Sequence, residues 1–350
     1  MNSRLYILDF ARFLAALAVV LFHYLFLTTV DNGNTLIAFT EYSYLGQYGY
    51  LGVQFFFMIS GFVVFMSAQG RKPSQFISSR VSRLFPAYWF SVIFTSFFIV
   101  VLGEESFNLN LYKILWNLTM LQSFVGVRHI DGVYWTLTYE LVFYFWIFLA
   151  ISINKLYLFE KFSLFFLILT TISSYISLPK IIDVIFLVEY CSYFISGVIF
   201  YSWYKNGFNL FRGVVLIWCL ILSLIQLSNQ VVENSELFNV SFSLGIAILI
   251  VSMFFCFFAS LSLGWCKKFD YQWAVNIGAL TYPLYLIHQN VGFIIFNQFN
   301  SYLNKYNLLI GVLFFSLLVS YFINVYIERK YARRLKFSIE NWRFIKILNK

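Results

Sequence analysis

Ten apolar runs, each close to the length of a membrane span, leave this chain few ways to fold. They are 5–29, 49–69, 84–102, 134–152, 162–178, 184–204, 211–228, 241–263, 276–297 and 308–327, joined by short polar turns. A helix needs about 20 apolar residues to cross the hydrocarbon core. Only helices and closed barrels satisfy their own backbone there. Runs this long specify helices, so the expected fold is all-α: a polytopic transmembrane helical bundle of about ten helices. Composition agrees, since 61% of the 350 residues are hydrophobic and only 11% are charged. Soluble domains carry roughly 25% charged residues.

The stretch 112–125 is too short to cross and reads as an interfacial or re-entrant segment. With no internal repeat and no low-complexity linker, residues 1–350 read as a single membrane domain. Its spans cover about 5–327, and 328–350 form a basic tail. The first run contains Asp9 and Arg12 and lacks a small-residue cleavage site before Asp31, so it reads as an uncleaved span. Cys191, Cys219, Cys256 and Cys266 have no CxxC spacing and fall in or beside apolar runs. They are expected to pack, with no disulfide and no metal.

The net charge of +9 invites a nucleic-acid reading, but the positives are arranged for a membrane. One set of alternate loops holds Arg4, Arg71, Lys72, Arg80, Arg83, Lys155, Lys161, Lys205, Arg212, Lys267, Lys268 and the basic tail. The other set is net acidic, with Asp31, Glu41, Glu104, Glu105, Asp131, Asp183, Glu233 and Glu236 against Lys113, Arg128, Lys180 and Lys305. Lys and Arg favour the cytoplasmic side, so both termini are expected to be cytoplasmic. An odd number of spans would scramble this alternation.

Ionisable groups inside spans are costly and mark functional sites. In the first span Arg12 and His23 are eleven residues apart, which returns them to within about 20° of one helical face and about 16 Å apart along the axis. Asp9 falls near the same stripe, where a structural pair with Arg12 is the plainer reading. Arg80 and Arg83 are three apart and share a face at the mouth of the third span. Guanidinium groups so placed suit an anion with several phosphate oxygens; the plainer reading is a topological anchor. Ser60-Gly61 marks a close helix crossing. The fourth span opens Trp135-Thr-Leu-Thr-Tyr-Glu140, with no base within a turn of Glu140. In the ninth, Tyr285 and His288 share a face, and Pro283 loosens the helix beside them. Glu189, near the end of the sixth span, reads as a snorkelling carboxylate.

Taken together these segments resemble the acyltransferase 3 family of integral membrane proteins, which includes O-acetyltransferases of O-antigen and exopolysaccharide. The resemblance rests on Asp9…Arg12 followed by ten residues and His23, on Gly52–Phe62, on Arg80-x-x-Arg83-Leu-x-Pro-x-Tyr-Trp89, on Trp135–Glu140 and on Tyr285–His288. The family pattern has Ser where this chain has Thr136, which keeps a hydroxyl. The resemblance implies acyl-CoA, commonly acetyl-CoA, as a cytoplasmic co-substrate with no bound cofactor. It also implies a glycan or lipid-linked sugar acceptor and a bacterial inner-membrane location. On that reading Arg12, Arg80 and Arg83 bind the donor, while His23 acts as base or acyl carrier and Glu140 orients it. Asp9, Ser60, Trp135, Tyr285 and His288 support them. The competing class is a proton-coupled transporter or flippase using the same charges as a pathway, although many such folds show repeats.

Overall fold

The computed structural model describes residues 4–30, 35–103, 107–176, 178–269 and 271–341; Asp31, Glu104, Glu105, Asp270 and the end of the basic tail lie outside the described residues. Among the described residues there are helices and no strand. We number the principal helices α1 (Tyr6–Val30), α2 (Gly52–Ala68), α3 (Pro73–Leu102), α4 (Leu111–Thr119), α5 (Trp135–Ser152), α6 (Phe159–Ser173), α7 (Lys180–Ile185), α8 (Cys191–Asn206), α9 (Leu210–Phe238), α10 (Leu244–Ser262), α11 (Gln272–Gly278), α12 (Thr281–Phe299) and α13 (Lys305–Asn341).

Among the described residues, eight helical segments are long and apolar enough to cross a membrane. The runs 184–204 and 276–297 fold as α8 and α12, which fall short for different reasons. After a turn, α8 has only 16 helical residues. The 19 residues of α12 include His288, Gln289, Asn290, Asn297 and Gln298, which lower its hydropathy. Both are enclosed by protein. Every residue of α8 from Cys191 to Ser202 is buried, as are Pro283–His288 of α12. An enclosed helix need not present an apolar face to lipid. Helices at the rim do so: α3 exposes Ile93, Phe97 and Val100, and α10 exposes Leu249 and Met253.

Glycines set the closest crossings. A Cβ on Gly61 of α2 would overlap the carbonyl of Phe194, and one on Gly197 of α8 would overlap that of Met58. The two backbones therefore touch, and among the described residues this is the most extensive helix pair. Gly46, Gly49 and Gly52 lie against the carbonyls of Leu21, Ala18 and Ala15 of α1. That approach brings the start of α2 alongside the first span.

Two boundaries differ from expectation. Residues 73–83 extend α3 by three turns, with Pro73 at its first position and Gln75 bonding back to the Lys72 amide. Arg80 and Arg83 thus sit on a continuous helix. The last span also runs on, through a π-helical turn (Ile323–Glu328), to Asn341. There Glu340 accepts a bond from Ser78 of α3 at 2.9 Å. The segment at 112–125 is helix α4 plus a 3-10 turn, with Leu111, Tyr112, Leu115, Phe124 and Val125 exposed, as an interfacial segment would be.

Candidate active site

Residues at the α3–α13 end of the bundle build a cavity of about 100 Å³ lined by Arg12, Ser60, Arg83, Glu140, Tyr282 and Tyr285, with Val53 at its inner end. Glu140 accepts hydrogen bonds from Ser60 Oγ at 3.2 Å and from the Tyr144 hydroxyl. Arg83, Asp9, Glu140 and Tyr144 lie within electrostatic reach of Arg12. Asp9 takes its ion pair from Arg4, Nε to Oδ2 at 2.7 Å, not from Arg12, so the Arg12 guanidinium remains on the cavity wall. A Cβ on Gly278 would meet Asp9 at 2.7 Å, which is why α11 can close this side. Arg80 stands outside the cavity. Its guanidinium lies over the rings of Phe76 and Tyr144 at 5.7 and 5.5 Å, an arrangement that favours a cation. Through Tyr144 it supports Glu140.

Deeper in the bundle, α1 loosens into a π-helix over Phe22–Leu27, a form that recurs at functional sites. His23 lies in that stretch. Its Nδ1 is 2.8 Å from the Val19 carbonyl and 3.2 Å from Nε2 of His288. The Nδ1 of His288 is 2.8 Å from the carbonyl of Tyr285. A carbonyl only accepts, so in the neutral pair both Nδ1 atoms carry the proton. Nε2 of His288 is then an acceptor facing His23, and Nε2 of His23 keeps a free lone pair. Tyr24 fixes the pair by donating to the His288 carbonyl at 2.7 Å, its ring seated in the notch left by Gly292.

His23 lines a second cavity, of about 230 Å³, with Gln54, Gln230 and Gln289 and, among the described residues, no Asp, Glu, Lys or Arg. The amides of Gln54 and Gln230 meet at 2.9 Å. Val53 and Tyr285 line both cavities, so the arginine cavity adjoins the histidine cavity through them. Thr136 holds Tyr285 at that junction, hydroxyl to hydroxyl at 2.9 Å. Trp135 forms the far wall of the histidine cavity.

The structure therefore gathers Arg12, Arg83, Ser60 and Glu140 around one cavity and His23, His288 and Trp135 around the next, with Tyr285 between them. It does not join Glu140 to His23; the ring partner of His23 is His288. Nor does Glu189 snorkel alone, since it accepts from Tyr139 and Tyr190 at 3.0 and 2.7 Å.

Two contributors escaped the sequence reading. Asp131, fully buried, accepts from the amides of Val133 and Asn290 at 3.2 and 3.0 Å, tying the start of α5 to α12 two residues beyond His288. Burial pushes its carboxyl up to about 7, against the pull of those two bonds. The aspartate ahead of Gly132 and a helical run was a capping signal. His129 sits in the loop before it, bonded to Gln122 and Ser123, and no pattern in the sequence marked it. Among the described residues no group of three His, Cys, Asp or Glu side chains converges as a metal site requires.

A family model described as an acyltransferase domain matches residues 5–329. No curated protein and no solved structure matches the chain.

Proposed function

Because the chain belongs to the acyltransferase 3 domain family and is a multi-pass membrane protein, we propose that it moves an acetyl group from acetyl-CoA to a hydroxyl of a cell-surface glycan or its lipid-linked precursor. The location proposed is a bacterial inner membrane, with both termini in the cytoplasm, on the distribution of Lys and Arg.

One observation carries the reading: a cavity walled by two arginines adjoins, through Val53 and Tyr285, a cavity in which a histidine offers a lone pair. Arg12 and Arg83 suit the phosphates of coenzyme A, and a pantetheine arm running past Val53 and Tyr285 would reach His23. The acceptor hydroxyl gives its proton to Nε2 of His23 as its oxygen attacks the thioester carbonyl. The tetrahedral adduct collapses, the C–S bond breaks, and the coenzyme thiolate leaves with the proton held by His23. His288 acts as the orienting member of a triad does. Its Nε2 lone pair faces Nδ1–H of His23 and stabilises the imidazolium. Glu140 belongs to the donor side, where it balances Arg12 and Arg83.

The test is to incubate the purified protein with acetyl-labelled coenzyme A and follow label and free thiol. The reading expects coenzyme A release that depends on His23 and a Michaelis constant that rises when Arg83 is removed. Release unchanged in both variants would overturn it.

A further inference from the structure

A third cavity, of about 630 Å³, opens at the opposite end of the bundle from the arginines and shares Trp135 and Tyr190 with the histidine cavity. We propose that it is the acceptor subsite, where a pyranose ring docks, so that acceptor and donor approach His23 from opposite ends; this rests on the acyl-transfer reading above.

The volume is that of a small-molecule site, and its walls have the two chemistries a sugar needs. A pyranose has an apolar C–H face and a rim of hydroxyls. One wall is aromatic: the rings of Trp135, Tyr139 and Tyr190 pack at 4.9–5.8 Å between centroids, giving a surface for the C–H face. Beside them stands Glu189, exposed and taking one hydrogen bond on each carboxylate oxygen, from Tyr139 and from Tyr190. A carboxylate has about four lone-pair sites, so acceptors remain for sugar hydroxyls. Leu187, just before it, is buried with φ +57°, a backbone that leucine adopts only at a cost. That bend leads into the rim position of Glu189.

The opposite wall is a strip of hydrogen-bonding groups. Gln122 Nε2 donates to His129 Nδ1 at 2.8 Å, so Nε2 carries the His129 proton and donates to Ser123 Oγ at 3.2 Å. The Ser123 and Thr138 hydroxyls meet at 2.8 Å. In this tautomer His129 is a donor and does not activate Ser123, so the strip recognises hydroxyls and attacks nothing. Burial, with Lys113 adding to it, holds the imidazole down at about 4, so the strip is uncharged at neutral pH. The partition of Trp135 and Tyr190 is then where one sugar hydroxyl crosses to His23.

The test compares acceptor acylation with donor binding. In cells carrying the protein, alkali-labile acetyl on the native surface glycan is measured for wild type, Glu189→Gln, and Glu189→Gln with His129→Gln. Binding of acetyl-CoA to each purified protein is measured by calorimetry. The subsite predicts at least a tenfold fall in glycan acetyl for the double variant, with acetyl-CoA affinity within twofold of wild type, which also shows that it is folded. Tyr139→Phe, which keeps the ring and removes one bond to Glu189, is expected to fall between. In intact cells a membrane-impermeant maleimide should label Ile181→Cys above the wild-type background. Wild-type glycan acetyl in the double variant, loss of acetyl-CoA affinity, or labelling only after permeabilisation would each overturn the subsite. Undiminished glycan acetyl in His23→Ala would instead overturn the acyl-transfer reading.

Discussion

The arginine cavity and the histidine cavity adjoin at Val53 and Tyr285 yet differ in kind. The first balances two guanidinium groups against the Glu140 carboxylate; the second, among the described residues, is lined by no charged side chain and depends on amides and the His23 imidazole. Within a bundle, charge is retained where it is paired or meets a ligand of opposite sign. A proton-accepting group works best when neutral at the operating pH. The division assigns binding to the first cavity and proton transfer to the second. It also explains why the partner of His23 is another histidine: a carboxylate there would add a charge to a site whose described lining has none.

Breaking the second cavity should have the largest effect. His23→Ala removes the base and is expected to lower turnover by roughly 10²–10⁴-fold, with acetyl-CoA binding intact by calorimetry. Next comes the first cavity. Arg83→Ala should raise the Michaelis constant for acetyl-CoA by about 10–100-fold, since hydrogen bonds to a charged group contribute about 1.5–3 kcal/mol. Turnover at saturation should change far less. A smaller contrast sharpens the boundary. His288→Gln should lower kcat by about tenfold and shift its pH profile, as expected for the group facing the imidazolium. Glu140→Gln should act mainly on the Michaelis constant and leave that profile in place.

The smallest effect lies beyond both cavities. His129 is held at about 4 by burial, below an unfolded value of about 6.5. Its contribution to stability is therefore complete above about pH 6.5 and is lost as pH falls toward 4. His129→Gln should flatten that limb in thermal melts recorded from pH 7 to 4.

How much of this was legible follows from what periodicity encodes. Arg12 and His23 fell on one stripe because eleven residues nearly close three helical turns. The structure keeps them on adjoining cavities although α1 loosens at Phe22. The run 276–297 was recognised as a helix, but its polar face made sense only once α12 was seen enclosed by protein. Partners across helices were not legible. Nothing in the spacing around Glu140 pointed to Ser60 rather than His23, although Tyr144, four residues on, shares its helical face, and the stripe suggested Arg12 for Asp9 where the structure pairs it with Arg4. The extension of α3 through Arg80 and Arg83 was signalled by Pro73 and Gln75, but a run that begins at residue 84 by hydropathy alone conceals it.

The central claim is that donor phosphates and reacting carbonyl occupy two joined but different cavities. A structure of the protein bound to a non-transferable acetyl-CoA analogue tests it most directly. The account predicts phosphates at Arg12 and Arg83, the pantetheine arm passing Val53 and Tyr285, and the carbonyl carbon within reach of Nε2 of His23. An analogue entering past Trp135 and Tyr190, or one whose acyl end stops at Glu140, would contradict it.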